Sequence, residues 1–236
     1  MITALPQLSP AQLAAYDRDG FVIVDEVFPA EDLRLVDAEM DRVEGPQARQ
    51  DGVDFRLQLG LRSDLAATWC ADPRLLALVG SLVRPGIAIY SAKLVTKPPG
   101  VDDIHAVCHW HQDDAYYQDN SQSATRMSVW FPLADVGPAD GCLRVVPGSH
   151  RTGLAPWTLA GQGGCNRALR EGAEMLPGAI EVPVRAGSVL LFHALLWHAS
   201  AGNRGSRRRR AFIVSYQDAL AERGNGAQHR ILVPAV

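Results

Sequence analysis

A chain of 236 residues, 47% hydrophobic and 21% charged, can bury a real core and is too apolar to be disordered. Its formal net charge of −3 excludes general nucleic-acid affinity, because phosphate binding needs a basic face. No apolar run approaches the roughly 20 residues that cross a bilayer, and the opening "MITALPQLSPAQLAAYDRDG" lacks the basic and apolar regions of a secretion signal.

The first elements read as helical. Ser9-Pro10-Ala11-Gln12 has the form of a capping box with proline at the first helical position. The helix it opens carries Leu13 and Tyr16 and stops at Gly20. "FVIVDEVF" follows as a short β-branched strand. Pro29 then opens a second helix, in which Leu33, Val36, Met40 and Val43 form one apolar stripe. A further helix is expected over "PRLLALVGSLV". From about Gly86 the texture changes to short apolar or alternating runs: "IAIYSAKLVTK", "RMSVWFPLADV", "CLRVVPGS", "AIEVPV", "SVLLFHALLWHAS" and "RAFIVSYQD". Turn clusters such as Pro98-Pro99-Gly100 and Pro147-Gly148-Ser149 separate them. Many short strands without intervening helices indicate an antiparallel sandwich or jelly roll. The Gly-rich stretch 155–178 has no period and reads as a long lid or binding loop. The fold expected is therefore mainly β with flanking helices, one domain over 1–236, with a helical front (1–85) and a β core (86–220).

The four cysteines (Cys70, Cys108, Cys142, Cys165) are scattered, with no C-x-x-C pair. Reduced, buried thiols in a cytoplasmic protein are expected, not disulfides or a zinc site.

The stretch "HWHQDDAYY" (109–117) concentrates imidazoles and carboxylates. In a strand, residues i and i+2 point the same way, so His111 and Asp113 can aim at one point; His109 shares that parity and competes with His111. Two ligands cannot hold a catalytic metal tightly, so a third must come from elsewhere. His198 ends the apolar run "SVLLFHALLWH", where a polar residue needs a reason. His193, five positions earlier, faces away in a straight strand and reads as structural, as does His150 in the "PGSH" turn. Two imidazoles and a carboxylate leave half of an octahedron open, the arrangement of non-haem Fe(II) oxygenases. A 2-oxoglutarate co-substrate would also need a cation for its far carboxylate, and arginine supplies a two-pronged donor. "RGSRRRR" (204–210) offers several, of which alternation lets only one face enter a pocket.

The ordered pattern "HQD…W…G.L.VVPGSH…G.V.LF…H.S..N…RR", with the opening "LSPAQLAAYDRDGFVIVDEVF", resembles the phytanoyl-CoA dioxygenase family of Fe(II)/2-oxoglutarate oxygenases from about residue 8 to 217. The resemblance implies a double-stranded β-helix (cupin-like jelly roll) core. It makes His111, Asp113 and His198 the iron ligands, and Arg209 the group gripping the far carboxylate of 2-oxoglutarate, with Ser200 beside it. Arg210 replaces Arg209 if the preceding turn is one residue longer. Trp130 matches an aromatic lining the co-substrate pocket, and Lys93 stands where the family contacts 2-oxoglutarate, although lysine is not the usual residue there. The implied reaction uses O2 to hydroxylate an unactivated C–H bond of a small to medium, largely apolar molecule, releasing succinate and CO2. Such a molecule could be a fatty acyl chain, an amino-acid derivative or a natural-product scaffold. A carboxylate at position 113 favours hydroxylation over halogenation, while desaturation, epimerisation and cyclisation remain open at the same iron site. Tyr116 and Tyr117 are either core packing or a substrate-facing wall. The rivals are a cupin-like metal isomerase or hydrolase without 2-oxoglutarate, and a binding module that has lost its chemistry. No nucleic-acid or membrane partner is expected, and the oligomeric state is either monomer or homodimer.

Overall fold

The computed structural model describes residues 4–44, 54–56, 64–101, 107–117, 123–160, 166–170, 177–221 and 229–235. Its described helices are α1 (Pro10–Asp19), α2 (Ala30–Glu44), α3 (Asp64–Cys70) and α4 (Pro73–Val79). Helix α1 starts as its sequence dictates: Ser9 Oγ accepts from the Gln12 N–H, and Gln12 Oε1 accepts from the Ser9 N–H. It stops at Gly20, whose φ of +83° favours glycine. On α2 the predicted stripe is the buried one, with Leu33, Val36 and Met40 all in the core.

The strands are β1 (Phe21–Val24), β2 (Asp54–Arg56), β3 (Ile87–Lys97), β4 (Cys108–His111), β5 (Met127–Pro132), β6 (Leu143–Val145) and β7 (Trp157–Leu159). They continue with β8 (Arg167–Leu169), β9 (Ile180–Val182), β10 (Val189–His193), β11 (His198–Ser200), β12 (Arg209–Gln217) and β13 (Arg230–Val233). A major sheet runs β1-β10-β5-β12-β3-β13 with β2 also on β3, and a minor sheet runs β4-β11-β6-β9. All pairings between these strands are antiparallel.

Alternation along the major sheet sorts its side chains into two cores. Val129, Phe131, Leu191, Phe212 and Val214 join the helices' apolar faces in one cluster. Their sequence neighbours Trp130, Leu190, Phe192 and Ala211 face the minor sheet in another, together with Leu143, Val145 and Val182. The major sheet is thus buried on both sides, which is why β3 is buried along almost its whole length and not at alternate positions. This is the mainly antiparallel jelly roll expected.

Three features depart from the expectations. The sheet takes in β1, β2 and β13, which lie outside 86–220. The stretch 155–178 is not all loop: β7 and β8 pair as a hairpin, Trp157 opposite Leu169 and Leu159 opposite Arg167. Three-residue strands are too short to show a period. The run "SVLLFHALLWHAS" is two strands on different sheets, β10 and β11, joined by a turn. That turn's Ala194 and Leu196 are fully buried, so hydropathy gave no sign of a break.

His193 makes this turn pH-sensitive. Its Nδ1 accepts the Leu195 N–H at 3.0 Å, and its ring lies 5.3 Å from that of His150 and 6.5 Å from that of Tyr16. Burial, and secondarily His150, push the imidazole down to about 4. Because this folded-state value lies below the ordinary 6.5, the stabilisation is complete above pH 6.5 and drains away as pH falls toward 4. Thermal melts should show a falling Tm across that window. His193→Asn, whose side-chain oxygen accepts the same N–H without titrating, should flatten part of the slope.

Candidate metal centre

Strand β4 delivers His111, and the chain stays extended through Gln112 (φ −121°, ψ 134°) before coiling into a 3-10 turn at Asp113–Tyr116. The strand expected to include Asp113 therefore ends at His111, but the extended Gln112 preserves the alternation on which the pairing depends. Gln112 points the opposite way and is stapled there. Its Nε2 donates to the Gly153 and Leu195 carbonyls at 2.9 and 2.7 Å, and its Oε1 accepts the Ala155 N–H at 2.8 Å. His198, at the start of β11, sits directly opposite His111 in the minor sheet.

His111, Asp113 and His198 thus converge, each offering a ligand atom within 4.8 Å of the other two. Asp113 Oδ1 lies 3.9 Å from His111 Nε2 and 3.8 Å from His198 Nε2. Each imidazole spends its Nδ1 on a main-chain carbonyl, His111 on His109 at 2.7 Å and His198 on Leu196 at 3.0 Å. Carbonyls only accept, so Nδ1 carries the proton and the Nε2 lone pairs face each other across the site. Asp113 Oδ2 accepts from Ser128 Oγ at 2.7 Å, and Ser128 in turn contacts Ser215 Oγ at 2.9 Å. That leaves Oδ1 turned toward the imidazoles.

Electrostatics keep Asp113 and His111 in their ligating forms. Burial works to raise Asp113, but Lys93 and the Ser128 hydrogen bond hold its carboxyl below the usual carboxylate range. Burial, then the neighbouring His198, push His111 well below the ordinary imidazole value. Two neutral imidazoles and an ionised carboxylate suit a ferrous ion with open positions.

The cavity beside this set reaches Arg209. Arg209 opens β12 opposite Lys97. Its Nη2 donates to the Gly141 carbonyl at 2.8 Å, and its Cζ lies 5.6 Å from the Trp130 ring centre. Its Nε is buried without a hydrogen-bond partner, and among the described residues it has no carboxylate partner. Burial lowers the guanidinium to about 10. Gly141 itself has φ +71°, and a Cβ there would meet the Ala201 and Gly202 carbonyls at 2.5 and 2.6 Å. Only glycine brings that acceptor to Arg209. Arg210 takes the other face and pairs with Asp37 (2.7 Å) and Asp41 (2.5 Å) of α2. The turn therefore has the length that puts Arg209, not Arg210, in the cavity.

Trp130, Ser200 and Lys93 also line the cavity. Ser200 Oγ accepts from Lys97 Nζ at 2.7 Å, and Lys97 donates as well to the Ser200 and Ala201 carbonyls. Lys93, half-buried, sets its ammonium 5.8 Å from the Tyr117 ring centre. Tyr116 stands edge-on to His111 at 6.0 Å and is tied to β8 by accepting the Arg167 N–H. Tyr117 donates to Ser91 Oγ. His109 gives its carbonyl to His111, while His150 accepts no metal role and bonds the Asp17 carbonyl through Nε2. His105 and Cys165 lie outside the described residues. Cys108, on the cavity wall, is disulfide-bonded, contrary to the expectation of reduced thiols; Cys70 and Cys142 are free and buried. Sequence spacing does not reveal which chain segments the sheet brings beside β4. No helix among the described residues is long and apolar enough to cross a membrane.

Lys97, Ser128, Ser215 and Gln112 escaped the sequence reading. The only signal was position: Ser128 sits two residues before Trp130, and alternation puts both on the cavity face.

The family model described as phytanoyl-CoA dioxygenase (PhyH) matches residues 16–211. The peroxisomal phytanoyl-CoA dioxygenase of Mus musculus is 23% identical over 231 residues, covering 89% of this chain and 68% of the relative. An ectoine dioxygenase of Sphingopyxis alaskensis is 27% identical over 238 residues, covering 88% and 75%. Among solved structures, the epimerase SnoN in complex with Fe3+, α-ketoglutarate and nogalamycin RO superposes with a TM-score of 0.74 at 26% identity, covering 91% of this chain and 85% of SnoN.

Proposed function

The chain belongs to the phytanoyl-CoA dioxygenase family, and on that premise we infer that it is a non-haem Fe(II)- and 2-oxoglutarate-dependent oxygenase acting on a small molecule. When bound, iron and 2-oxoglutarate together activate O2 for attack on a C–H bond, with release of succinate and CO2. The observation that carries the reading is one cavity with the His111–Asp113–His198 set on its wall and the buried, carboxylate-free guanidinium of Arg209 in its lining. A cupin-like isomerase or hydrolase would have no use for that guanidinium, because an unpaired buried cation costs stability unless an anion answers it.

His111, Asp113 and His198 would hold the iron, the two imidazoles offering Nε2 and the carboxylate Oδ1. The main-chain carbonyls behind the imidazoles and Ser128 behind the carboxylate fix their orientation, so little ordering is needed on loading. Arg209 takes the far carboxylate of 2-oxoglutarate. Gly141 and Trp130 fix its fork from one side each, and Ser200 stands beside it, held by Lys97. The apolar side chains of Leu143, Phe192 and Ile213 on the cavity wall exclude water from the reacting centre. Hydroxylation is the outcome we propose. Epimerisation or cyclisation at the same iron site is the second reading, favoured by the likeness to the epimerase SnoN. We read residues 1–236 as a single catalytic domain.

The test is spectroscopic. Anaerobic protein given Fe(II) and 2-oxoglutarate should show a weak visible absorption band, and His198→Ala should lose it. Aerobic wild type should then release succinate slowly without added substrate. A protein that binds iron but shows neither band nor succinate is not an oxygenase of this kind.

A further inference from the structure

We propose that the buried ion pair between Arg126 and Asp114 positions the iron carboxylate, fixing the turn that aims Asp113 at the two imidazoles. This rests on the oxygenase reading above, in which Asp113 is an iron ligand. Neither partner lines the cavity, so both act through Asp113 and not on the substrate or the iron.

Asp113 is the ligand least secured by sheet pairing. His111 and His198 face each other in paired strands, whereas Asp113 opens a four-residue 3-10 turn. Hydrogen bonds within such turns have poor geometry, so the turn keeps its aim only where neighbours hold it. Side chains from one stretch of chain do so. Ser128 Oγ donates to Asp113 Oδ2 at 2.7 Å, and Arg126, which directly precedes β5, donates through Nη1 to Asp114 Oδ1. Two consecutive carboxylates are thus gripped by residues two apart. The backbone closes the same ring: the Asp114 N–H donates to the Ala194 carbonyl at 3.1 Å, and the Ala194 N–H to the Arg126 carbonyl at 3.0 Å. Ala194 lies in the turn that leads to His198.

Fold stability does not account for the pair. The Arg126 side chain is 2% exposed and that of Asp114 19%, and the Tyr90 ring centre lies 5.0 Å from the guanidinium. Taking two ions out of water costs as much as their attraction returns or more, and apolar side chains of similar volume often serve a fold as well. What the pair adds is direction, because a guanidinium donates along fixed N–H axes and Asp114 must stand where they point. The far end of the turn is held separately by Arg167. Its guanidinium donates to the Ala115 carbonyl and its main-chain N–H to Tyr116 Oη. The turn therefore forms without the ion pair, and the pair sets where its first residue lies.

The experiment replaces both partners at once, Arg126→Met together with Asp114→Leu, so that no charge is left buried alone. The metal-free double variant should melt within about 4 °C of wild type. Its Fe(II) affinity, read by anaerobic equilibrium dialysis, should fall at least tenfold, the least that lost support behind a ligand typically costs. At saturating Fe(II), the 2-oxoglutarate concentration that half-forms the visible band should stay within about twofold, because Arg209 is untouched. A smaller loss of iron affinity overturns the proposal, since Asp113 then needs no ion pair to aim it. A larger fall in Tm overturns it too, because the pair then serves the fold. So does a rise in the 2-oxoglutarate requirement beyond twofold, the mark of a cavity loosened throughout. Wild type that takes up no Fe(II) sinks the oxygenase reading itself, an outcome distinct from all of these.

Discussion

Asp113→Ala is expected to abolish the Fe(II)–2-oxoglutarate band and substrate-driven succinate release together. Three donor atoms within 4.8 Å form the smallest set that holds iron firmly while leaving room for a chelating co-substrate and O2. Removing the carboxylate removes the set's only negative charge and leaves two neutral imidazoles. Changing a group that merely supports a ligand typically costs about 10–100-fold, and loss of the ligand itself should exceed that. Ser128→Ala provides the graded comparison. It deletes the 2.7 Å hydrogen bond to Oδ2 and leaves the carboxylate in place but freer to rotate, so iron affinity or turnover should fall within that same 10–100-fold interval. Iron content measured after gel filtration, and the Tm of the metal-free proteins, separate lost ligation from lost folding. Iron binding and a band of wild-type intensity in Asp113→Ala would remove the carboxylate from the site.

How far the sequence reaches is clearest in particular residues. Strand β3 is legible from end to end because apolar residues dominate "IAIYSAKLVTK" and a Pro-Pro-Gly turn closes it. His111 and Asp113 were legible because alternation is local, and it survives the change from strand to 3-10 turn as long as Gln112 stays extended. His198 was visible as a polar residue ending an apolar run, yet the same apolarity concealed the turn that carries it from one sheet to the other. Lys97 was illegible. A lysine before Pro-Pro-Gly has the look of a solvated turn residue, and only the pairing of β3 with β12, together with the approach of β11, buries it against Ser200. Non-local partners of this kind, including Ser215 behind Ser128 and the disulfide at Cys108, depend on which strands lie side by side, and spacing along one chain does not encode that. The four arginines are the intermediate case: alternation separates Arg209 from Arg210, but it takes the aspartates of α2 to fix which one faces inward.

Those two arginines should respond oppositely to substitution. Arg209→Met removes the cation proposed to grip the far carboxylate of 2-oxoglutarate. A charge-assisted hydrogen bond contributes about 1.5–3 kcal/mol, so the KM for 2-oxoglutarate should rise on the order of 10²-fold, with a smaller effect on kcat at saturation. In the metal-free, co-substrate-free protein the same change exchanges a buried guanidinium without a carboxylate partner for an apolar chain of similar reach. Burying that charge is a cost, so the Tm should hold or rise. Arg210→Met does the reverse. It removes Arg210 from Asp37 and Asp41, but both are substantially solvated, 49% and 65% exposed, and Asp41 keeps Arg208 at 3.9 Å, so the loss should stay near 1 kcal/mol. Its KM for 2-oxoglutarate should remain within about twofold, since the side chain faces α2 and not the cavity. Steady-state succinate assays over a range of 2-oxoglutarate, paired with melts of the apoproteins, measure both quantities. The decisive result is the crossing: affinity lost without stability at 209, and stability lost without affinity at 210. A rise in KM at 210 with none at 209 would mean that the co-substrate enters from the helical side of β12, and the site drawn here would have to be abandoned.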